Sequence, residues 1–397
     1  MIVLSTSSSV PANAALHYYS KTSTFNPFSV VALLYSTFAS LSIACLRPIP
    51  ILNRGLPQVR EIPMQPTTST PRIAIVTGAN TGIGLETSKA LVERGYEVVL
   101  ACRSKDKALQ AIQVIEEEVS GVPGGKAVFH GTLDLSSFQS VRDFSEAIQS
   151  KYDKIHLLVN NAGLNTSGPS EQGLDLCFQT NFLGHFLLTK NLMGLLLNAK
   201  TPRVVNLSSV MHHFCQADKH DEAYWRQNAL FGNEMSQENS YSASKLAALL
   251  FTIELNKRYR SQGLRSIAVN PGAVNSDIWR SYPRWIVAVF QRIYLNNPQG
   301  SYTSVAASVI NDFPDDVIYL QPYHQQTRGG NDRKIIAPTP FPPFELLGPF
   351  VGYQAIHPRL PKDGHNGELT SGALWKVSEE LTDSSSHEVP PTDKKQD

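Results

Sequence analysis

The chain is poor in cysteine, with four among 397 residues, and Cys45, Cys102, Cys177 and Cys215 stand too far apart to form a zinc knuckle or a redox dithiol. Four are also too few for a fold built on disulfides, so a reduced compartment suits its globular part. Nor is there a charge excess. With 35 basic and 34 acidic side chains the net charge is +1, and neither nucleic acid nor another polyanion is an expected partner. No internal repeat is present. Acid is missing altogether from Met1 to Arg60, where only Lys21, Arg47, Arg54 and Arg60 are charged and 14 Ser and Thr crowd the first 42 residues. Such a composition excludes this stretch from a globular core.

One apolar run breaks that segment. Phe28 to Leu46 is uncharged over 19 residues, 14 of them apolar or aromatic, and as a helix at ~1.5 Å per residue it would just cross a bilayer. Two readings stand. As an anchor, the excess of Arg47, Arg54 and Arg60 over Lys21 turns the C-terminal side to the cytosol, as in an endoplasmic-reticulum-like protein. As a cleaved leader, an acid-poor, Ser-rich segment suits a plastid or a mitochondrion. Residues 1–70 are thus expected to be leader or anchor and stalk, and a chain starting near Pro63 is expected to fold.

From residue 71 the texture changes. Ile73 to Val76 is a short apolar run suited to a strand buried on both faces; a glycine-rich turn and a helical stretch to Arg94 follow. Further apolar runs, Val98–Ala101, Ile155–Val159, Val204–Leu207 and Ile267–Val269, alternate with helical segments, which predicts an α/β fold with one doubly wound parallel sheet. Helices are expected at Lys105–Val119, Gly300–Asn311 and Gly372–Leu381. Gln321–Pro361 holds eight prolines and reads as an insertion in a catalytic domain spanning 71–381; the polar tail 382–397 is expected to be disordered.

The chemistry starts at the glycine turn, Thr77-Gly78-Ala79-Asn80-Thr81-Gly82-Ile83-Gly84. Gly78 permits the turn, Gly82 lets backbone approach a pyrophosphate, and Gly84 lets the helix close on its strand, with helix N-terminal amides facing the phosphates. On a helix, Tyr241 and Lys245 share a face, so the ammonium favours the ionised phenol. A phenol with an ordinary pKa of ~10 needs roughly 4 kcal/mol of help to exchange a proton near neutral pH. Beyond the second strand, Cys102 stands where an acid would select NAD, and Arg103 follows as a guanidinium able to grip a 2′-phosphate, so NADP(H) is the expected cofactor.

Thr-Gly, three residues and Gly-x-Gly resemble the short-chain dehydrogenase/reductase family, from about Arg72 to Ile310. The resemblance implies a Rossmann fold and the catalytic set Ser209, Tyr241, Lys245 and Asn181, with Ser209 chosen over Ser208 as the second of a pair. Asn181 would kink its helix and hold a water linking the lysine to solvent. It implies cofactor contacts from Gly78, Asn80, Thr81, Gly82, Ile83 and Gly84, from Asp134 and Leu135, and from Asn161, Ala162 and Gly163. Tyr241, Lys245, Pro271 and Gly272 complete that set. Ala101-Cys102-Arg103, His212-His213 and the terminal Leu374–Glu379 are similar to the retinol-dehydrogenase-like branch, which includes WW-domain oxidoreductases; no WW domain is present.

The implied activity is hydride transfer between NADP(H) and a carbonyl/alcohol of a lipophilic, retinoid-, steroid- or fatty-aldehyde-like substrate. A plastid reductase of a carbon–carbon double bond and a non-catalytic dinucleotide-binding scaffold are the alternatives. In the family, helices like those of Asn181 and Tyr241 form a homodimer. His212, His213, Cys215 and His220 lack the ordered pairs of a metal site, so none is expected, and they lie in an unusually long stretch, 32 positions, between Ser209 and Tyr241. Trp279–Tyr294 is rich in aromatics: core packing, or a lid toward a lipophilic substrate or a membrane.

Overall fold

Runs of β-branched and aliphatic residues become strands whose alternate side chains feed two separate cores. The structure is a computed structural model. It describes residues 71–275 except 120, 167, 216–220, 233 and 273, then 295–311, 313, 318–322, 353–355 and 368–383, with Val59, Ile62 and Met64 ahead of them. The elements up to residue 160 are β1 (Arg72–Thr77), α1 (Gly82–Val92), β2 (Tyr96–Ala101), α2 (Lys105–Glu118), β3 (Lys126–Val128), α3 (Phe138–Gln149) and β4 (Leu157–Asn160). Next come α4 (Leu176–Phe178), a π-turn over Gln179–Leu183, α5 (Gly184–Asn191), α6 (Met193–Leu197) and β5 (Arg203–Leu207). A 3-10 turn (Val210–Phe214), α7 (Glu222–Ala229), α8 (Glu234–Tyr259), β6 (Arg265–Val269), α9 (Asn297–Val309), β7 (Tyr319–Pro322), β8 (Tyr353–Ala355) and α10 (Glu368–Thr382) complete the order.

The sheet runs β3-β2-β1-β4-β5-β6-β7-β8, with the first seven strands parallel and β8 antiparallel to β7. This is the doubly wound Rossmann arrangement that the alternation of strands and helices predicts. Ile75, Val99, Leu158, Val204 and Ala268 point to one face, under α3, α5, α8 and α10. Val76, Val98, Val159, Val205 and Ile267 point to the other, under α1, α2 and α9. The order reverses between β1 and β4, and in doubly wound sheets the crevice beyond the C-terminal ends of the strands at such a reversal is where ligands bind.

Three features differ from the expectations. β3 is a strand of three residues that no apolar run announces; it is held by the cross-strand pair Lys126–Glu97 at 3.0 Å. Ile155 lies outside β4 and bonds through its N–H to the Leu195 carbonyl. The two ends of the proline-rich insertion belong to the sheet, since β7 and β8 pair there. The segment Phe28–Leu46, most of Gln321–Pro361 and the tail beyond residue 383 lie outside the described residues. Among the described residues no helix is long and apolar enough to cross a membrane.

Ahead of β1, the chain is already part of the fold. Ile62 is 2% exposed within the core under α1, and the buried Arg94 guanidinium donates to the carbonyls of Ala90, Val59 and Ile62 at 2.8–2.9 Å. Burial lowers the Arg94 pKa, the cost of holding a cation there, and the three carbonyls offset it. A chain beginning at Pro63 leaves that cation short of two acceptors and empties the Ile62 slot. It is expected to be about 3–5 kcal/mol less stable than one beginning at Pro57. Equal denaturant midpoints for the two would place the boundary at residue 63.

Candidate active site

The glycine turn has the backbone its spacing requires. Gly78 and Gly82 adopt φ of 65° and 59°, a region that L side chains avoid. Gly84, in the first turn of α1, lies so near the preceding turn that a Cβ would be 2.4 Å from the Gly78 carbonyl oxygen and 2.5 Å from Asn161 Nδ2. Thr81 gives α1 no side-chain cap and the first turn holds no acid, so the first-turn amides and the helix dipole are directed into the crevice. A dinucleotide's pyrophosphate fits these features: a cradle that any side chain would fill, at an uncapped helix N-terminus. Of the other loop residues, Asn80 and Ile83 are half-buried and Thr81 is exposed.

Under this loop sits Cys102, buried, its sulfur accepting the backbone N–H of Ala79 and Asn80; burial raises its thiol pKa to about 11, so it is neutral. Arg103 is exposed one residue further. Asp134 accepts from the Ser136 hydroxyl at 2.6 Å and its N–H at 3.0 Å, which fixes the turn after β3. Leu135 is buried, and its carbonyl lies so near α5 that a Cβ on Gly184 would be 2.4 Å from it.

Asn161, Ala162 and Gly163 leave β4 beside the glycine turn. Asn161 Nδ2 donates to the Thr77 carbonyl at 2.7 Å, and the N–H groups of Asn161 and Ala162 both donate to Thr77 Oγ1 at 2.9 Å. Asn181 lies in the π-turn, an irregularity in the helix of the kind the resemblance implies. Its side chain accepts from the Leu164 N–H at 2.8 Å and donates to the Leu164 carbonyl at 2.9 Å and to Ser244 Oγ at 3.1 Å.

Tyr241 and Lys245 face one side of α8, with Lys245 Nζ 5.4 Å from the Tyr241 ring centre. Lys245 is 5% exposed and donates to the Leu207 carbonyl at 3.0 Å. Burial lowers its pKa to about 8, which poises the ammonium close to neutrality. The helix is keyed into place by polar contacts. Thr252, two turns beyond Lys245, accepts from Asn206 Nδ2 at 2.9 Å, and Asn206 in turn accepts from Asn160 Nδ2 at 2.8 Å. Asn256 exchanges two hydrogen bonds with the Ser266 backbone at 2.8 Å each. At the other end, the Ser240 hydroxyl donates to the buried carboxylate of Asp175.

The serine pair divides its work. Ser208 is buried and its hydroxyl donates to the Lys245 carbonyl at 2.8 Å, so it is spent on holding α8. Ser209 is half-buried and starts the 3-10 turn, accepting from the Met211 N–H at 3.2 Å, which leaves its own hydrogen available to the crevice. Pro271 and Gly272 form a turn in which Asn270 Oδ1 accepts the Gly272 N–H at 3.1 Å and Gly272 has φ 83°. The chain leaves at Asn275 and returns to Val274 at Leu295; Trp279–Tyr294 lies outside the described residues.

The structure therefore brings the glycine turn, Asn161–Gly163, Asn181, Ser209, Tyr241, Lys245 and Pro271–Gly272 to one edge of the sheet. Among the described residues no three His, Cys, Asp or Glu gather to hold a metal. His212 donates from Nδ1 to the Ser209 carbonyl at 2.6 Å, and Cys215 contacts the Tyr224 hydroxyl at 2.6 Å. The side chain of His213 and all of His220 lie outside the described residues. The sequence expectations omitted His185, a buried ring between Thr77 and Asn181; a lone histidine in the apolar run Phe182–Leu188 was its only signal.

Comparison with known proteins gives the same picture. A family model described as short chain dehydrogenase matches residues 72–218. Retinol dehydrogenase 11 of Mus musculus is 39% identical over 240 residues, 59% of this chain and 72% of that protein. Retinol dehydrogenase 11 of Homo sapiens is 35% identical over 265 residues, 64% of this chain and 80% of that protein. Among solved structures, an uncharacterized protein from Mycobacterium paratuberculosis superposes with a TM-score of 0.56 at 26% identity, covering 82% of this chain and 97% of that one.

Proposed function

Because the chain belongs to the short-chain dehydrogenase/reductase family of oxidoreductases, we propose that it interconverts a carbonyl and an alcohol on a lipophilic substrate with NADP(H). The observation that carries this reading is the buried Lys245 beside Tyr241, bonded to the Leu207 carbonyl two residues before Ser209, in a sheet whose first helix has an uncapped, glycine-built N-terminus. A bound nicotinamide dinucleotide supplies or accepts the hydride. The loop Gly78–Gly84, Asp134, Asn161–Gly163 and Pro271–Gly272 would hold it. In the reductive direction Ser209 donates a hydrogen bond to the carbonyl oxygen as negative charge grows there. Tyr241 gives that oxygen its proton, and Lys245 stabilises the phenolate left behind. Oxidation reverses each step.

NADP(H) is supported by what ends β2: a neutral thiol in place of a carboxylate, with an exposed guanidinium beside it. A lipophilic substrate is supported by the retinol named in the relatives and by exposed Met211 next to Ser209. A membrane-anchored protein with its catalytic part in the cytosol, the anchor being Phe28–Leu46, accords with such a substrate. The test is steady-state reduction of a fatty-aldehyde series with each cofactor. NADPH should be preferred, and kcat/KM should climb with chain length, at about 0.8 kcal/mol per methylene until the pocket is full. Arg103→Ala should weaken NADPH by ~1.5–3 kcal/mol and leave NADH nearly unchanged. Equal weakening of both would remove Arg103 from the 2′-phosphate, and no turnover with any aldehyde would refute the substrate class.

A further inference from the structure

Among the buried groups that take no part in the chemistry above are the Asp175 carboxylate, the Cys102 thiol and the His185 imidazole. The first two each reach one other element, Asp175 the start of α8 and Cys102 the glycine turn. Asp175 accepts from the Phe178 N–H and the Ser240 hydroxyl, and Cys102 accepts from Ala79 and Asn80. His185 joins the cofactor turn to the catalytic helices.

Its hydrogen bonds can be assigned completely. Nδ1 lies 3.0 Å from the Asn181 carbonyl, which only accepts, so Nδ1 carries the hydrogen. Nε2 lies 2.8 Å from Thr77 Oγ1. Burial lowers the pKa of His185 to about 4, so the ring is neutral and Nε2 accepts the Thr77 hydroxyl hydrogen. Both lone pairs of Thr77 Oγ1 are then taken by the N–H groups of Asn161 and Ala162. Three residues on, Leu164 is gripped through its N–H and its carbonyl by the Asn181 side chain. The bonds close a ring: Thr77, the segment 161–164, Asn181, His185 and back to Thr77. Gly163 lies inside that segment, and a Cβ there would be 3.3 Å from Asn181 Oδ1 and 3.6 Å from Lys245 Nζ. The ring is therefore one wall of the seat of Lys245.

We infer that His185 is a positioning residue, a strut that sets the cofactor turn at Thr77 against Asn181 and so fixes the wall beside Lys245. The inference deepens the reading of the site given above and rests on it for the effect on turnover. Removal of the ring takes a buried donor from the Asn181 carbonyl, leaves the Thr77 hydroxyl only the Val159 carbonyl at 3.4 Å, and opens the loop of bonds.

The test uses the full chain with His185→Gln, His185→Leu and Thr77→Val. A glutamine amide carries both a donor and an acceptor; leucine has comparable bulk and neither; Thr77→Val cuts the far end while keeping shape. Two readouts are needed, amide hydrogen exchange at Asn161, Ala162 and Leu164 without cofactor, and NADPH affinity against kcat. For His185→Leu the three amides should exchange at least ~10-fold faster, and kcat should fall ~10–100-fold while the NADPH Kd changes less than ~5-fold. His185→Gln should recover kcat to within ~3-fold of the unmodified protein, and Thr77→Val should match His185→Leu in exchange at Asn161 and Ala162. If His185→Leu does not fold, Thr77→Val against His185→Gln decides. Unchanged exchange, or a glutamine variant no better than leucine, overturns the strut. An unmodified protein that neither binds NADPH nor reduces an aldehyde overturns the reading of the site instead, and the exchange data still decide the strut.

Discussion

Tyr241→Phe should lower kcat by about 10³–10⁴-fold while the Kd for NADPH stays within ~3-fold of the unmodified protein. The substitution keeps the half-buried ring and its place one turn before Lys245, and Ser244 still donates to the backbone carbonyl of residue 241 at 2.7 Å. Only the acid is lost. Ser209 and the cofactor turn remain, so substrate and cofactor still gather, and the rate that survives measures what proximity and one hydrogen bond achieve without a proton donor. Isothermal titration with NADPH alongside single-turnover reduction separates the two quantities. Turnover near that of the unmodified protein would assign proton transfer to another group.

Lys245→Met should abolish turnover as thoroughly and yet make the protein more stable. The ammonium is buried, its hydrogen bond to the Leu207 carbonyl is a single one, and burial brings its pKa from 10.5 to about 8. That difference is worth roughly 3 kcal/mol against the folded state while the group is charged in both states. Methionine fills similar space without charge, so at pH 7 the variant is expected to gain up to that amount. The sign of the pH dependence follows. Below pH 8 the lysine is charged whether folded or not, and its cost is fully present. Between pH 8 and 10.5 the unfolded chain holds the proton longer than the folded one, so the unmodified protein gains stability and the difference from Lys245→Met shrinks. Denaturant unfolding of both proteins at pH 7 and pH 10 reads it directly. A difference that does not change with pH, or a destabilised variant, would mean that the lysine's environment is already paired and not a store of desolvation.

Much of this site is written in local patterns. The glycine turn could be read because three spacings serve three backbone needs: φ of 65° at Gly78 makes the turn, and at Gly84 a Cβ would lie 2.4 Å from the Gly78 carbonyl oxygen. The pair Tyr241 and Lys245 could be read because four residues make one helical turn. The central strands could be read because both their faces are buried, which keeps their runs apolar except at Glu97 in β2 and Asn206 in β5. What escaped was non-local or too short. β3 is three residues long and begins with an exposed lysine, so it has neither length nor period. The π-turn at Asn181 has no composition of its own, and only the resemblance implied a kink there. Val59 and Ile62 join the core because Arg94 reaches back 35 and 32 residues, and nothing in a neutral, proline-flanked stretch announces that meeting. His185 resembles any histidine packed in an apolar helix until Thr77 and Asn181 are seen on either side. Ser209 was chosen over Ser208 on the resemblance alone; the bond that occupies Ser208 runs to the Lys245 carbonyl, 37 residues further along.

The sheet's two borders carry a further meaning. Each ends in a strand of three residues, Lys126–Val128 on one side and Tyr353–Ala355 on the other, and the second runs against the direction of its neighbours. Another molecule seeking to add a strand would find few backbone groups to grip at either margin, and at the first it would meet the charged, 57% exposed side chain of Lys126. An eight-stranded sheet is a broad template for intermolecular β-pairing, and at the β3 margin brevity and the Lys126 charge oppose its growth.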